Sequence, residues 1–197
     1  LRKRVFEHPG QPNDGPAPSD ADLVKAAQCA LPAFEHLYRR YIADVYRFCL
    51  RRLANEADAA DATSQVFSKA LINIGKCDPS MFRPWLFTIA RNTVTDTWRA
   101  ARPGSAIDEA FDIADHARGP EDLAIASQDA IDLRAKVALL SEDQRAVIEL
   151  RLAGLTAAEI AVSLGKTRNA VDQIQFRAIA RLRTLLTPPV AAGGLQS

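Results

Sequence analysis

Residues 140–186 carry a helix-turn-helix pattern, and this stretch constrains the fold more than any other part of the sequence. It reads LSEDQRAVIELRLAGLTAAEIAVSLGKTRNAVDQIQFRAIARLRTLL. Thr156 is suited to cap a short helix, and Glu159 at the third helical position completes a capping box. Gly165 ends that helix, and Thr167 can cap the longer helix that follows. This order is typical of a motif whose second helix enters the DNA major groove.

The longer helix has two faces at helical spacing. The apolar face has Val171, Ile174, Ala178, Leu182 and Leu185, and the opposite face has Asn169, Gln173, Phe176, Arg177 and Ala180. Asn, Gln and Arg side chains pair well with the edges of adenine and guanine. A plain three-helix bundle with a solvated polar face would show the same periodicity. The turn chemistry and the small side chains of Ala157 and Ala161 favour DNA binding.

The fold class expected for the whole chain is all-α, with two small helical domains joined by an acidic linker. The chain has 197 residues, 48% of them hydrophobic, and shows little period-two alternation. No apolar run is long enough to span a membrane, and the N-terminal residues lack the apolar core of a signal peptide. We therefore expect a cytoplasmic protein without membrane insertion.

The sequence offers no constellation typical of a catalytic or metal site. The three cysteines, Cys29, Cys49 and Cys77, form no CxxC pair and have no histidine at zinc-binding spacing. The three histidines are scattered, and neither a glycine-rich phosphate loop nor a nucleophile elbow is present. We expect no enzymatic activity, no cofactor and no bound metal.

Charge is distributed unevenly along the chain, although its net value is only +1. Residues 33–102 and 141–187 are net basic, whereas residues 103–140 are net acidic. Two basic blocks can contact nucleic acid, while an acidic linker between them is repelled by phosphate.

These patterns divide the chain into five segments. They are a disordered N-terminal segment 1–19, a helical domain 20–102, an acidic linker 103–132, a helix-turn-helix domain 133–187 and a flexible tail 188–197. Near the boundary between the linker and the second domain, three apolar residues are expected to pack with the second domain: Leu133, Val137 and Leu140.

The first domain is expected to contain four helices. Asp20 caps the first, which ends before Pro32, and the next two cover residues 33–53 and 56–73. Pro84 starts the fourth after a glycine- and proline-containing loop. Its inward face has Trp85, Leu86, Ile89, Ala90 and Val94, and its exposed face has Asn92, Thr95, Asp96 and Arg99.

The segment WLFTIARNTVTDTWR resembles the signature of region two of bacterial sigma factors, in the extracytoplasmic-function (ECF) group of the sigma-70 family. FEHLYRRYIADVYRFCLRR and AADATSQVFSKAL are similar to the first helices of the same region, and LSEDQRAVIELRLAGLTAAEIAVSLGKTRNAV resembles region four. Two blocks in this order, covering residues 33–102 and 140–186, are more specific than one helix-turn-helix.

The resemblance implies a protein without a catalytic role of its own. Such proteins bind bacterial core RNA polymerase, direct it to a promoter and help to open the duplex. Residues 20–102 would form region two, and residues 133–187 would form region four. Many members of the group are held inactive by an anti-sigma factor, which makes such a partner an expectation here.

The resemblance also implies three sets of contact residues. Docking on a coiled coil of the largest polymerase subunit would use Arg47, Arg51, Asp61, Gln65 and Phe67. The minus-ten element would be contacted by Lys76, Asp78, Ser80, Arg91, Asn92, Thr95 and Arg99. The minus-thirty-five element would be contacted by Lys166, Arg168, Asn169, Gln173 and Arg177.

The chain departs from the family pattern in two helices. Ala60, Ala62 and Gln65 stand where an acidic residue, a leucine and a glutamate are usual, and Asp172 stands where a basic residue usually follows the valine. An acidic side chain near phosphate lowers affinity, unless it accepts a hydrogen bond from a cytosine amine.

Two other functional classes are compatible with parts of the sequence. A stand-alone helix-turn-helix regulator would bind duplex DNA tightly without polymerase, usually as a dimer, but no dimerisation coiled coil is evident. An enzyme would need a catalytic constellation, which the sequence does not offer.

Overall fold

A computed structural model describes residues 17–101, 133 and 135–187, and within these residues the backbone forms helices and turns without any strand. The expected all-α fold is confirmed. The predictions for residues 1–16, for the acidic linker 103–132 and for the tail 188–197 fall outside the described residues. No helix among the described residues combines the length and apolar character needed to cross a bilayer.

Four helices form an N-terminal bundle. They are α1 (Asp20–Cys29), α2 (Phe34–Leu53), α3 (Glu56–Asn73) and α4 (Phe82–Ala101). Two 3-10 turns, Ile74–Lys76 and Pro79–Met81, connect α3 to α4. The predicted bounds of α3 agree with the structure, and α2 begins one residue later than expected. The local sequence pattern therefore predicted the bounds of α2 and α3 to within one residue.

Two helix starts differ from the prediction. Ser19, not Asp20, caps α1, and its Oγ accepts a hydrogen bond from the backbone nitrogen of Asp22 at 3.2 Å. The Asp20 carboxylate instead pairs with Arg40 at 2.6 Å and accepts a hydrogen bond from the Tyr41 hydroxyl. At the other end of the bundle, α4 begins at Phe82, two residues before the proline that was expected to start it. At α1, the pairing of Asp20 with Arg40 and Tyr41 leaves the cap to Ser19.

Three helices form a C-terminal unit: α5 (Glu142–Leu152), α6 (Ala157–Leu164) and α7 (Arg168–Leu186). The capping box of Thr156 and Glu159 is present, and Gly165 ends α6 in the left-handed conformation with φ +62°. Thr167 caps α7 through a hydrogen bond from the backbone nitrogen of Ala170 at 3.2 Å. The predicted helix-turn-helix is confirmed.

One continuous hydrophobic core extends from the bundle into the C-terminal unit. In the bundle, the rings of Phe48 on α2 and Phe87 on α4 meet edge to face with centroids 5.6 Å apart. In the C-terminal unit, Ile160 and Val171 are fully buried. Leu140 is buried as expected, but Leu133 is 46% exposed and does not anchor the second unit.

Candidate nucleic-acid interfaces

An open pocket of about 390 Å³ lies between α3, the connecting turns and α4. Its walls combine two lysines, two amides, a carboxylate and two apolar side chains: Lys69, Asn73, Lys76, Trp85, Ile89, Asn92 and Asp96. An indole wall beside amide groups can hold a planar polar ring, and neighbouring ammonium groups can attract phosphate. The pocket has the chemistry of a nucleotide-binding site.

One hydrogen bond and one ion pair between α3 and α4 hold the back of this pocket, with a further hydrogen bond within α3. Lys69 Nζ donates to the Thr93 hydroxyl at 3.1 Å and lies 3.7 Å from the Asp96 carboxylate. Asn73 Nδ2 donates to the Lys69 carbonyl at 2.9 Å. Because Thr93 is fully buried, Lys69 has a defined position. Sequence reasoning missed Lys69 and Asn73, although their spacing of four residues places them on one face of a helix.

The turns beside the pocket are tied to α1 and to their own backbone. Gln28 Nε2 donates to the carbonyls of Ile74 at 3.1 Å and Cys77 at 2.8 Å. Asp78 Oδ1 accepts from the Ser80 backbone nitrogen at 2.9 Å and from its hydroxyl at 2.8 Å. These hydrogen bonds to the carboxylate lower the pKa of Asp78. Asp78 and Ser80 thus stabilise the turn and do not line the pocket.

The structure separates the residues predicted for the minus-ten element. Lys76 and Asn92 line the pocket, whereas Arg91 and Thr95 are half-buried and Arg99 is exposed towards the end of α4. The Thr95 hydroxyl donates to the Arg91 carbonyl at 2.9 Å. Two of the seven residues, Lys76 and Asn92, therefore line the pocket with Lys69 and Trp85, and the other five are not among its lining residues.

The residues predicted for the minus-thirty-five element share the exposed face of α7. Arg168, Asn169, Gln173 and Arg177 are all exposed, and the ring of Phe176 beside them is 75% exposed. Asp172, the departure from the family pattern, lies 3.9 Å from Arg168 Nε. Such an exposed pair contributes little to stability, so the Arg168 guanidinium can exchange it for another anion.

Lys166 is positioned by the neighbouring helix. Its Nζ lies 2.9 Å from the Asp143 carboxylate near the start of α5. The side chain of Asp143 is 57% exposed, so the pair is accessible to solvent. Contact with a phosphate would replace one anionic partner of this ammonium group by another.

The residues predicted to bind polymerase divide between surface and core. Arg47, Asp61 and Gln65 are exposed. Phe67 is buried, and its ring lies edge to face against Tyr38, with centroids 4.8 Å apart. In this conformation Phe67 supports the surface and does not form it. The exposed apolar side chains there are those of Tyr38, Leu71 and Ile72, which sequence reasoning did not select.

Arg51 has a different environment from the other residues predicted to bind polymerase. It is half-buried, and its Nε and Nη2 have no hydrogen-bond partner among the described residues. Burial lowers its pKa, while the nearby Glu149 carboxylate on α5 acts in the opposite direction. The charge of Glu149 in the C-terminal unit thus acts on Arg51.

Two family models match the chain in the order of its two units: Sigma-70 region 2 over residues 37–103 and Sigma-70, region 4 over residues 137–184. The ECF RNA polymerase sigma factor BldN of Streptomyces coelicolor is 36% identical over 171 residues, which cover 84% of this chain and 65% of BldN. The RNA polymerase sigma factor CarQ of Myxococcus xanthus is 30% identical over 158 residues, which cover 80% of this chain and 91% of CarQ.

The fold agrees with a solved structure, that of CnrH in complex with the cytosolic domain of CnrY. The TM-score is 0.67 at 26% identity, and the match covers 85% of this chain and 96% of the matched chain. Fold and sequence together define an RNA polymerase sigma factor of the sigma-70 type. The chain belongs to the ECF group of that family, which is not in general a family of enzymes.

Proposed function

We propose that this chain binds bacterial core RNA polymerase, directs it to specific promoters and assists opening of the duplex. The proposal is carried by two features on one chain, a polar pocket with an indole wall and a helix with an exposed row of Asn, Gln and Arg side chains. The α3–α4 pocket suits an unstacked base, and the exposed face of α7 suits base edges in a major groove. Holding a base outside the duplex is what promoter opening requires.

The pocket is the proposed site for a base of the minus-ten element. The indole of Trp85 offers a stacking surface, and the amide of Asn92 can hydrogen-bond to a base edge. Lys69 and Lys76 would hold the adjoining phosphates. Arg91, Thr95 and Arg99 along α4, with Asp78 and Ser80 in the turn, are proposed to contact the flanking nucleotides.

The face of α7 is the proposed reader of the minus-thirty-five element. Asn169, Gln173 and Arg177 would contact base edges, because they project from the side of the helix opposite its buried residues. Arg168 would join them near the start of the helix, and Lys166 would contact the phosphate backbone. Asp172 would favour a cytosine within its reach.

The polymerase is proposed to dock on the surface formed by α2 and α3. The polar groups of this surface come from Arg47, Asp61 and Gln65, and Arg51 lies beside them. Phe67 lies beneath the surface, and Tyr38 and Ile72 add exposed apolar area. The same proposal includes a cytoplasmic location, domain bounds of 20–102 and 133–187, and the absence of a catalytic role. CnrH was solved in complex with the cytosolic domain of CnrY, which supports a protein partner for this chain, and the partner proposed here is an anti-sigma factor.

Run-off transcription with bacterial core polymerase tests this function, using promoter fragments selected from a random pool. We expect specific transcripts that require this chain and that are lost with Asn92→Ala or Arg177→Ala. Lys25→Ala, at an exposed position on α1, is the control for charge removal away from both surfaces. Tight binding to duplex DNA alone, without polymerase binding or transcripts, would instead identify a stand-alone helix-turn-helix regulator.

A further inference from the structure

The end of α1 holds the turn that carries Lys76. Gln28 Nε2, in the last turn of α1, donates to the carbonyls of Ile74 at 3.1 Å and of Cys77 at 2.8 Å. One side-chain amide thus bridges the two ends of the turn, and Lys76 lies between them. The Ile74 carbonyl also accepts a hydrogen bond from the backbone nitrogen of Cys77 at 3.1 Å. Gln28 therefore restrains the turn from a different helix.

The helix that carries Gln28 is firmly attached to the bundle. Leu23 and Ala27 are buried along one side of α1. At the start of the helix, the Asp20 carboxylate pairs with Arg40 on α2 at 2.6 Å. A donor on a packed helix can place a neighbouring group more precisely than a donor on a loop. The Gln28 amide therefore starts from a defined position.

The middle of the turn has few restraints of its own. Ile74 and Cys77 are buried, whereas Gly75 and Lys76 between them are exposed. A Cβ at Gly75 would meet no atom within 4 Å among the described residues beyond its chain neighbours. Glycine also loses more conformational freedom on folding than any other residue. Without the amide of Gln28, the backbone at Lys76 would therefore sample a wider range of positions.

The position of this backbone matters because Lys76 lines the α3–α4 pocket. Its ammonium group is proposed to hold a phosphate beside the bound base. A charge-assisted hydrogen bond needs the two groups about 2.7–2.9 Å apart, and water screens the pair at longer range. A turn that is already ordered also loses less entropy when the ammonium group binds. Order in the turn thus favours the phosphate contact.

We propose that Gln28 is a positioning residue for recognition of the opened minus-ten strand, and that it acts through Lys76. Gln28 orders the turn before DNA binds, and the ammonium group of Lys76 makes the contact. The role in DNA recognition rests on the proposed function, whereas the ordering of the turn does not.

Hydrogen exchange tests the ordering of the turn in the free protein. Gln28→Met keeps a long side chain but removes the donor, so the backbone amide of Cys77 should exchange about tenfold faster. Lys25→Met, at an exposed position three residues earlier on α1, should leave this rate unchanged. The amide of Val66, which is fully buried on α3, should stay protected in all variants. Equal exchange of Cys77 in Gln28→Met and the unchanged protein would overturn the ordering.

The salt dependence of DNA binding tests the route through Lys76. The probe is a promoter fragment selected from a random pool, opened by mismatches at the minus-ten element and bound by the full chain with core polymerase. Loss of one phosphate contact to a single strand lowers the slope of log affinity against log salt by about 0.7. Gln28→Met changes no charge, yet it should lower the slope in the same direction as Lys76→Ala. Lys25→Met removes a charge and should leave the slope unchanged.

A lower stability of Gln28→Met without a change in slope would overturn the positioning role, because a merely structural residue would behave in that way. The two changes should also be non-additive. Gln28→Met should lower affinity about fivefold in the otherwise unchanged chain, but less than about twofold in Lys76→Ala. Equal losses in both backgrounds would overturn the route through Lys76.

Failure of the proposed function would be recognised separately. If the unchanged chain with core polymerase binds no promoter fragment, the proposed function and the part of Gln28 in it fail together. The exchange rate of Cys77 would still decide whether Gln28 orders the turn.

Discussion

The two candidate DNA-binding surfaces are built in different ways. The face of α7 comes from a single helix, so its exposed residues follow from helical periodicity alone. The pocket needs α3, α4 and the turns between them, and its rear wall depends on the hydrogen bond from Lys69 to Thr93. A site on one helix can be read from local sequence, whereas a site between helices requires their packing.

Damage to the packing behind the pocket should have the largest effect, because it should impair the pocket and leave the face of α7 intact. Phe87→Ala removes a fully buried ring of α4 and should lower the free energy of unfolding by about 3–5 kcal/mol, measured by urea denaturation. At a temperature where the variant is still folded, promoter opening should suffer more than duplex binding by α7. Leu31→Ala, at a side chain 59% exposed, should change stability by less than about 0.5 kcal/mol. Equal losses in both variants would contradict the packing argument.

A smaller effect should distinguish the two surfaces directly. Trp85→Ala should weaken binding of the opened minus-ten strand by about 1–3 kcal/mol, because a stacking surface is lost. Arg177→Ala should reduce discrimination among minus-thirty-five sequences by about 1–3 kcal/mol and leave strand opening intact. Strand-opening fluorescence and competition between duplexes measure the two effects with polymerase present. If both variants fail in the same assay to the same degree, the surfaces do not have separate roles.

The smallest expected effect is on the reactivity of the cysteine thiols, including that of Cys77 in the turn beside the pocket. Burial, with the nearby Asp78 charge, raises the pKa of the Cys77 thiol to about 11, and burial raises that of Cys49 to about 11. Only Cys29 should therefore react rapidly with iodoacetamide at pH 8, and mass spectrometry can count the modified thiols. The unfolded chain loses thiol protons at lower pH than the folded one, so stability should fall as the pH rises from about 9 to about 11. Rapid modification of Cys77 in folded protein would show that this turn opens readily.

Most helix bounds and caps followed from short-range patterns. The capping box at Thr156, the left-handed Gly165 and the exposed residues of α7 all agree with the sequence-based expectations. The error at the start of α1 occurred where a distant residue intervened: Asp20 pairs with Arg40 and leaves the cap to Ser19.

The candidate site was predicted in part. The resemblance to region two pointed to Asn92 and Lys76, which line the pocket, but not to Lys69 and Asn73 on the preceding helix. The contact of Asp78 with a base stays a prediction, and in the folded turn its carboxylate accepts two hydrogen bonds from Ser80. A polar residue in a loop has several potential partners, and only the folded turn decides among them.

The sequence alone determined the all-α class and the helix-turn-helix, because these depend on residues three or four positions apart. Its resemblance to two sigma-factor regions in the right order indicated the family. Tertiary structure alone decided that Arg52 meets Glu149, a partner 97 residues away. It likewise decided that the Arg83 guanidinium donates to the Ala153 carbonyl. Periodicity tells which side of a helix is buried, but it does not tell which distant surface covers that side.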